Sequence, residues 1–281
     1  MDEPKKFGDK LIEADDGLIA NVVRDWARRK HSLVARYCGI ASGPRRAYLG
    51  SGRAGAAYLD PFCAAGRCWV SDDKLFSDGS PLHAWKESVE KKAPFNQVLI
   101  GDVDKQSLDA CELRLKEHGA PVSAICGKAE ETIDKMLGSI NPYGLHFCLL
   151  DPYSLGAMPF SIIEKLCNVK RMDILIHVST SDLQRNFLNF QKAEKDTLDR
   201  FAPGWRDSVS ADQPQRRQRE QFFQHWLGLI EKAGKLASNK VEHMTTTGNN
   251  TLYYLVMVSG HPLGHKFWDV ASADPVQPGL F

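Results

Sequence analysis

The residues best suited to chemistry are three acids, each closing a short apolar run. Ala56-Ala57-Tyr58-Leu59 ends on Asp60 and breaks at once into the small-residue loop Pro61-Phe62-Cys63-Ala64-Ala65-Gly66-Arg67. Val98-Leu99-Ile100-Gly101 ends on Asp102, and His146-Phe147-Cys148-Leu149-Leu150 ends on Asp151-Pro152-Tyr153. In an open α/β sheet, ligands sit beyond the carboxyl ends of the strands, where small residues let the backbone approach and an acid holds the ligand's polar end. A carboxylate accepts hydrogen bonds from two adjacent hydroxyls at once, which an amide does less well. Asp102 suits that task better than Asp104, which is spaced to cap the helix that follows. The plainer alternative is that these acids only cap turns, and Asp-Pro is itself a turn starter.

The elements that must position these acids alternate. After the first run, Ser80-Pro81 opens a helix to Glu90, with Ser as N-cap and Pro at the first helical position. Gln97–Asp102 is a second strand, followed by a helix carrying Leu108, Cys111 and Leu115. Val122–Cys126 with the helix Glu130–Leu137 is a third unit, His146–Leu150 with Ser161–Cys167 a fourth, and Met172–Val178 a fifth strand. Strands alternating with helices predict right-handed crossovers and a parallel sheet. Val241–Thr247 and Thr251–Val258, flanking Gly248-Asn249-Asn250, predict an antiparallel hairpin at the end. Before the first strand, Leu18, Ile19, Val22, Val23, Trp26, Leu33, Val34 and Tyr37 recur near helical spacing and predict a helical prelude. The expected organisation is a helical region over 1–52 and an α/β domain over 53–281, with a helical insertion at about 182–238.

Composition narrows the partners. Across 281 residues the net charge is +1, which supplies no general field for nucleic acid or an anionic membrane. A local nucleic-acid surface would rest on Arg216, Arg217 and Arg219 with Phe222, Phe223 and Trp226, whose helical spacing also fits a solvated face opposite a packed stripe. Seven cysteines with no C-x-x-C pair point to reduced thiols and a cytoplasmic protein. No run reaches the roughly 18 apolar residues of a membrane span. His243, His261 and His265 lack ligand spacing, so no metal is expected, and Cys63 has no visible base to make it a nucleophile. His177, Ser179, Asp182 and Arg185 follow the fifth strand, either as substrate contacts or as a self-satisfied polar loop.

Five strand-helix units closed by an antiparallel hairpin resemble the layout of class I S-adenosylmethionine-dependent methyltransferases, a Rossmann-like fold with N-terminal helices and an inserted helical cap. That resemblance implies S-adenosylmethionine as cofactor, with Asp60, Phe62, Ala64, Gly66, Ser80, Asp102 and Glu130 around it. It gives Asp102 the ribose hydroxyls and Glu130 the adenine amine, where Lys128 cannot accept a hydrogen bond. Leu150-Asp151-Pro152-Tyr153 resembles the Asp-Pro-Pro-Tyr-type motif of amino-methyltransferases, which implies that Asp151, Pro152 and Tyr153 position an amine or ring nitrogen of a planar substrate such as a nucleobase.

More narrowly, Tyr58–Arg67, Gly79-Ser80-Pro81-Leu82, Leu150–Tyr153, Asp182-Leu183-Gln184-Arg185 and Gly260-His261-Pro262-Leu263-Gly264-His265-Lys266 together resemble the three-Cys-motif partner family. Such a member implies a radical-SAM-like protein partner with a three-cysteine motif. Family members typically read Asp-x-Phe-Ala-Gly-Pro-Gly-Arg, whereas here Cys63, Ala64 and Ala65 replace Ala, Gly and Pro. A methyl at residue 64 disfavours positive φ, so a non-catalytic methyltransferase-like module acting through a protein partner is the alternative. A nucleic-acid hydrolase is disfavoured, because the acids fall at separate strand ends without a metal-binding cluster.

Overall fold

The structure is a computed structural model that describes residues 10–180, 183, 184, 187, 197–245 and 251–273. In chain order its elements are β1 (Leu11–Glu13), β2 (Ile19–Val23), α1 (Trp26–Ile40), α2 (Ser42–Arg46), β3 (Ala57–Asp60), β4 (Arg67–Val70) and β5 (Leu75–Asp78). There follow α3 (Ser80–Glu90), β6 (Gln97–Asp102), α4 (Lys105–Glu117), β7 (Val122–Cys126), α5 (Ala129–Ser139), β8 (His146–Leu150), α6 (Phe160–Cys167) and β9 (Met172–Ser179). The last part holds α7 (Thr197–Phe201), α8 (Gln215–Lys232), β10 (Leu236–Ala237), β11 (Glu242–Thr245), β12 (Thr251–Ser259) and α9 (Pro262–Ser272). Asp182, Arg185 and the Gly248-Asn249-Asn250 turn lie outside the described residues.

The main sheet has eight strands in the order β10-β12-β9-β8-β3-β6-β7, with β11 also paired to β12. The five central strands run parallel, and β12 is antiparallel to β9, from Tyr253 opposite Ser179 to Val258 opposite Ile174. Alternation along β3 sends Ala57 and Leu59 into one apolar layer and Tyr58 into the other. The first layer is closed by α5, α6 and α8 through Ile133, Met136, Ile162, Ile163, Phe222, Trp226 and Ile230. The second is closed by α1, α3, α4 and α9 through Val34, Tyr37, Leu82, Leu108, Cys111 and Trp268. Each such large apolar side chain contributes roughly 1.5–3 kcal/mol when fully buried. Because both faces of the sheet are covered, β8 is buried at all five positions, as expected for a central parallel strand.

Three features depart from the sequence pattern. The first stretch of the prelude is not helical: β1 and β2 form a hairpin, and β2 pairs in parallel with β4 in a second, four-stranded sheet, β1-β2-β4-β5. Ile19 through Val23 satisfy either period because the run is too short to separate a repeat of 3.6 from one of 2. Ser80 is also not the N-cap of α3. Gly79 holds that position in extended backbone, and Ser80 is the first helical residue. Within the region expected to be wholly helical, Leu236–Ala237 adds an edge strand to β12.

Candidate active site

Sheet order fixes where the site lies. The chain leaves β3 toward β6 on one side and returns to β8 on the other, so the strand order reverses at β3, and the crevice beyond the carboxyl ends of β3, β6 and β8 is the expected ligand position. Asp60, Asp102 and Asp151 stand at or just past those three ends.

The loop after β3 is held entirely from within the chain. Asp60 is 1% exposed; Tyr58 donates its hydroxyl to Oδ2 at 2.9 Å and Phe62 its N–H to Oδ1 at 3.1 Å. Burial, with the Asp151 charge nearby, pushes the Asp60 carboxyl up to about 8. The next three amides are also spent: Cys63 N–H on Gly101 O at 2.9 Å, Ala64 N–H on Asp102 Oδ2 at 2.9 Å, and Ala65 N–H on Asn21 Oδ1 at 2.9 Å. Ala64 takes a left-handed φ of 50°, a conformation glycine adopts without the strain a Cβ brings. Gly66, at φ 70°, cannot be replaced: a Cβ there would lie 2.8 Å from Cys111 Sγ and 2.9 Å from Leu82 Cδ1. The small sheet completes the grip. Arg114 donates to Ala65 O at 2.5 Å and Ile19 O at 2.8 Å while its fork pairs with Asp16, and Arg67 pairs with Asp15 and Asp78.

Asp102 therefore spends one lone pair of Oδ2 on the loop and one of Oδ1 on Asp104 N–H at 2.9 Å. The Val103 N–H also acts on this carboxylate, which leaves about one of its four lone-pair sites for a ligand hydroxyl. Burial raises its carboxyl above the usual range, against the backbone donors that lower it. Asp104 caps α4 through Gln106 N–H, Ser107 N–H and the Ser107 hydroxyl, the role its spacing predicts. Ser80 is buried behind the loop, where Gly79 N–H donates to Gly66 O at 2.7 Å. Glu130, in the first turn of α5, is ion-paired with Arg200 of α7, and Lys128 is exposed just ahead of it.

At the end of β8, Asp151 meets two partners from distant elements. Lys30 of α1, itself 7% exposed, pairs with Oδ2, and His177 Nδ1 on β9 stands 3.0 Å from Oδ1. Burial alone would raise the Asp151 carboxyl, but the Lys30 ammonium, with His177 beside it, holds it well below the usual range. His177 packs edge-on against Tyr253 at 4.1 Å between ring centres, and Tyr253 packs edge-on against Trp26 at 5.4 Å. His31, next to Lys30 and fully enclosed, is pushed down to about 3 by burial and by the Lys30 charge, so it is neutral. Pro152 is buried, whereas Tyr153 is 84% exposed.

Lys30 and His31 are what the sequence pattern did not single out. The signal was available: Ala27, Lys30, His31 and Val34 occupy one buried stripe of α1, and a lysine on such a stripe demands a partner. Other candidates take structural places. Cys63 is buried beside Cys111 and its thiol is pushed well above its usual range, which leaves no thiolate to act as a nucleophile. Phe222 and Trp226 are in the core, and Arg216 and Arg217 pair with Glu220 on the surface, so the aromatic residues do not face bases. Among the described residues no group of three or more His, Cys, Asp or Glu could hold a metal ion, and no helix is long and apolar enough to cross a membrane.

No family model and no curated protein matches the chain. Solved structures do resemble it. A Legionella pneumophila protein of the DUF519 family aligns over 85% of this chain and 86% of its own, at 10% identity and a TM-score of 0.50. An O-methyltransferase from Bacillus cereus in complex with SAH aligns over 84% and 82%, at 9% identity and a TM-score of 0.45. An S-adenosylmethionine-dependent methyltransferase from Clostridium acetobutylicum aligns over 83% and 91%, at 10% identity and a TM-score of 0.42. At such identities the likeness is one of fold. Together with the strand order, the likeness to the Legionella pneumophila protein gives the chain a Rossmann-like α/β fold with a mixed, mainly parallel sheet.

Proposed function

We propose that the chain is an S-adenosylmethionine-dependent methyltransferase whose site is the crevice at Asp60, Asp102 and Asp151. The observation that carries this reading is the convergence of a glycine-closed loop and two further acids at the ends of three adjacent strands, at the point where strand order reverses. The remaining acceptor capacity of Asp102 suits a ribose hydroxyl, and the loop Phe62, Ala64 and Gly66, backed by Ser80, lets backbone approach the cofactor. Glu130 would contact the adenine amine only by sharing its oxygens with Arg200. When bound, the cofactor supplies an electrophilic methyl group on a sulfonium.

The acceptor in this reading is an amine or ring nitrogen on a planar substrate such as a nucleobase. Asp151, kept ionised, accepts an N–H of that nitrogen; Pro152 shapes the turn beside it; Tyr153 offers an exposed ring face for stacking. Lys30 disfavours a second cation beside it, so the nitrogen is held neutral with its lone pair free for in-line attack. The resemblance to three-Cys-motif partner proteins adds a radical-SAM-like protein as a proposed partner.

A second reading, a non-catalytic methyltransferase-like module, is favoured by one observation: the amides of residues 62–65 and both Asp151 oxygens already have partners in the chain. Calorimetry separates the two. Saturable binding of S-adenosylmethionine and S-adenosylhomocysteine, weakened about tenfold or more in Asp102→Ala by loss of charged hydrogen bonds, supports the enzyme. Absence of saturable binding of either to the wild-type chain removes it.

A further inference from the structure

The opposite edge of the sheet holds a second cleft. It has a volume of about 530 Å³, within the range of small-molecule sites, and lies where β10 and the end of β12 meet the start of α9. Because Val258 pairs with Ile174 near the start of β9, this is the amino end of the parallel strands, away from Asp60, Asp102 and Asp151.

Its polar lining is unbalanced. Lys235 lines the cleft and is 3% exposed; its amide donates to Ile230 O, but its ammonium has no hydrogen bond or ion pair among the described residues. Lysines that deeply buried are ordinarily paired, because leaving a cation without a partner in a desolvated place is costly. Burial lowers the Lys235 pKa accordingly. His265 lines the same cleft, and its buried Nδ1 has no hydrogen-bond partner. The positive end of α9 faces the cleft as well, although its first amide is already taken, Leu263 N–H donating to His261 Nδ1 at 3.1 Å.

The nearest described acid, Asp173, acts on Lys235 through its charge but forms no ion pair with it. Asp173 spends Oδ2 on the Tyr37 hydroxyl and Oδ1 on the Ser259 hydroxyl, both at 2.6 Å. Asp269 is exposed at the rim. Glu242 is already paired, with Arg29 at 3.0 Å and with Lys240 at 3.8 Å.

We propose that this cleft binds a small molecule through an oxyanion group, phosphate or carboxylate, with Lys235 as the charged contact and His265 as a second donor. Such a ligand would give the buried ammonium the partner it lacks by a charge-assisted hydrogen bond. The site is independent of methyl transfer, so it stands or falls apart from the function proposed above.

The test titrates inorganic phosphate, and separately acetate, into the full-length wild-type chain and into Lys235→Met, following the backbone amide of Gly260 and the His265 ring by NMR. Either probe giving saturable shifts at both groups in the wild type, with affinity about tenfold or more weaker in Lys235→Met, supports the site and names its anion. If neither probe moves these resonances, or if both chains respond equally, the proposal is overturned. The wild-type titration alone decides the first point, so it does not depend on the variant's folding.

Discussion

The two edges of the main sheet solve the same problem in opposite ways. At the carboxyl edge a buried lysine, Lys30, has a carboxylate and sits in a network with Asp151, His177 and, nearby, Asp60. At the amino edge a buried lysine, Lys235, lines an open cleft without a partner. A satisfied network holds its members in place and loses much when one is removed; an unsatisfied cation loses little and has most to gain from a ligand. The difference separates a satisfied charge network from a cation that the chain leaves without an ion pair.

The same Lys→Met change should therefore have opposite effects at the two positions. Lys30→Met leaves the Asp151 charge buried and uncompensated, and is expected to cost about 3–5 kcal/mol in urea unfolding. Adding Asp151→Asn should recover part of that loss. Equal loss in the single and double variants would mean that packing, not charge, is at stake.

Titration sharpens the same contrast. Asp60, raised to about 8, keeps its proton when folded and loses it near pH 4 when unfolded, so its effect is a decline in stability between pH 4 and pH 8. Asp60→Asn should flatten that decline in pH-resolved denaturation. Asp151 has the reverse sign: its folded pKa is depressed, so its stabilisation is full above the unfolded carboxyl pKa and is lost as pH falls below it. His31, lowered to about 3, likewise favours the folded state above its unfolded pKa of about 6.5 and costs stability as pH drops. Wild type should thus be weakened at both ends of the range, and Asp60→Asn only at the acid end.

Much of this scaffold was legible because its signals are local. The runs ending at Asp60, Asp102 and Leu150 are strands with those ends, Asp104 caps α4, and Ser80–Glu90 is a helix. The small sheet was not, although Arg67-Cys68-Trp69-Val70 alternates half-buried with buried at a period of two. Its strands are three to five residues long, too short for a period to declare itself, and its parallel pairing joins β2 to β4 across 40-odd residues. The site was legible in part for the same reason. Asp151 could be named from its strand end, but its partner Lys30 lies 121 residues earlier on a different element. Nothing local to Lys235 marks it either, since its isolation is a property of what surrounds it after folding.

Smaller effects should follow at the remaining positions. Asp102→Ala frees the Ala64 amide as well as removing the proposed ribose-hydroxyl acceptor, so cofactor affinity should fall about tenfold with a modest loss of stability, read by calorimetry and by thermal unfolding. Lys235→Met should leave stability unchanged or raise it by up to about 1 kcal/mol, since an unpaired buried charge is exchanged for an apolar chain. A loss comparable with that of Lys30→Met would show that Lys235 has a partner after all.

The most direct test of the carboxyl-edge site is a titration of S-adenosylhomocysteine followed at the backbone amides of Gly66 and Gly101, which flank the loop and precede Asp102. The account predicts saturable shifts at both while Gly234 and Gly260, at the other edge, stay in place. Unmoved Gly66 and Gly101 resonances at saturating ligand would contradict it.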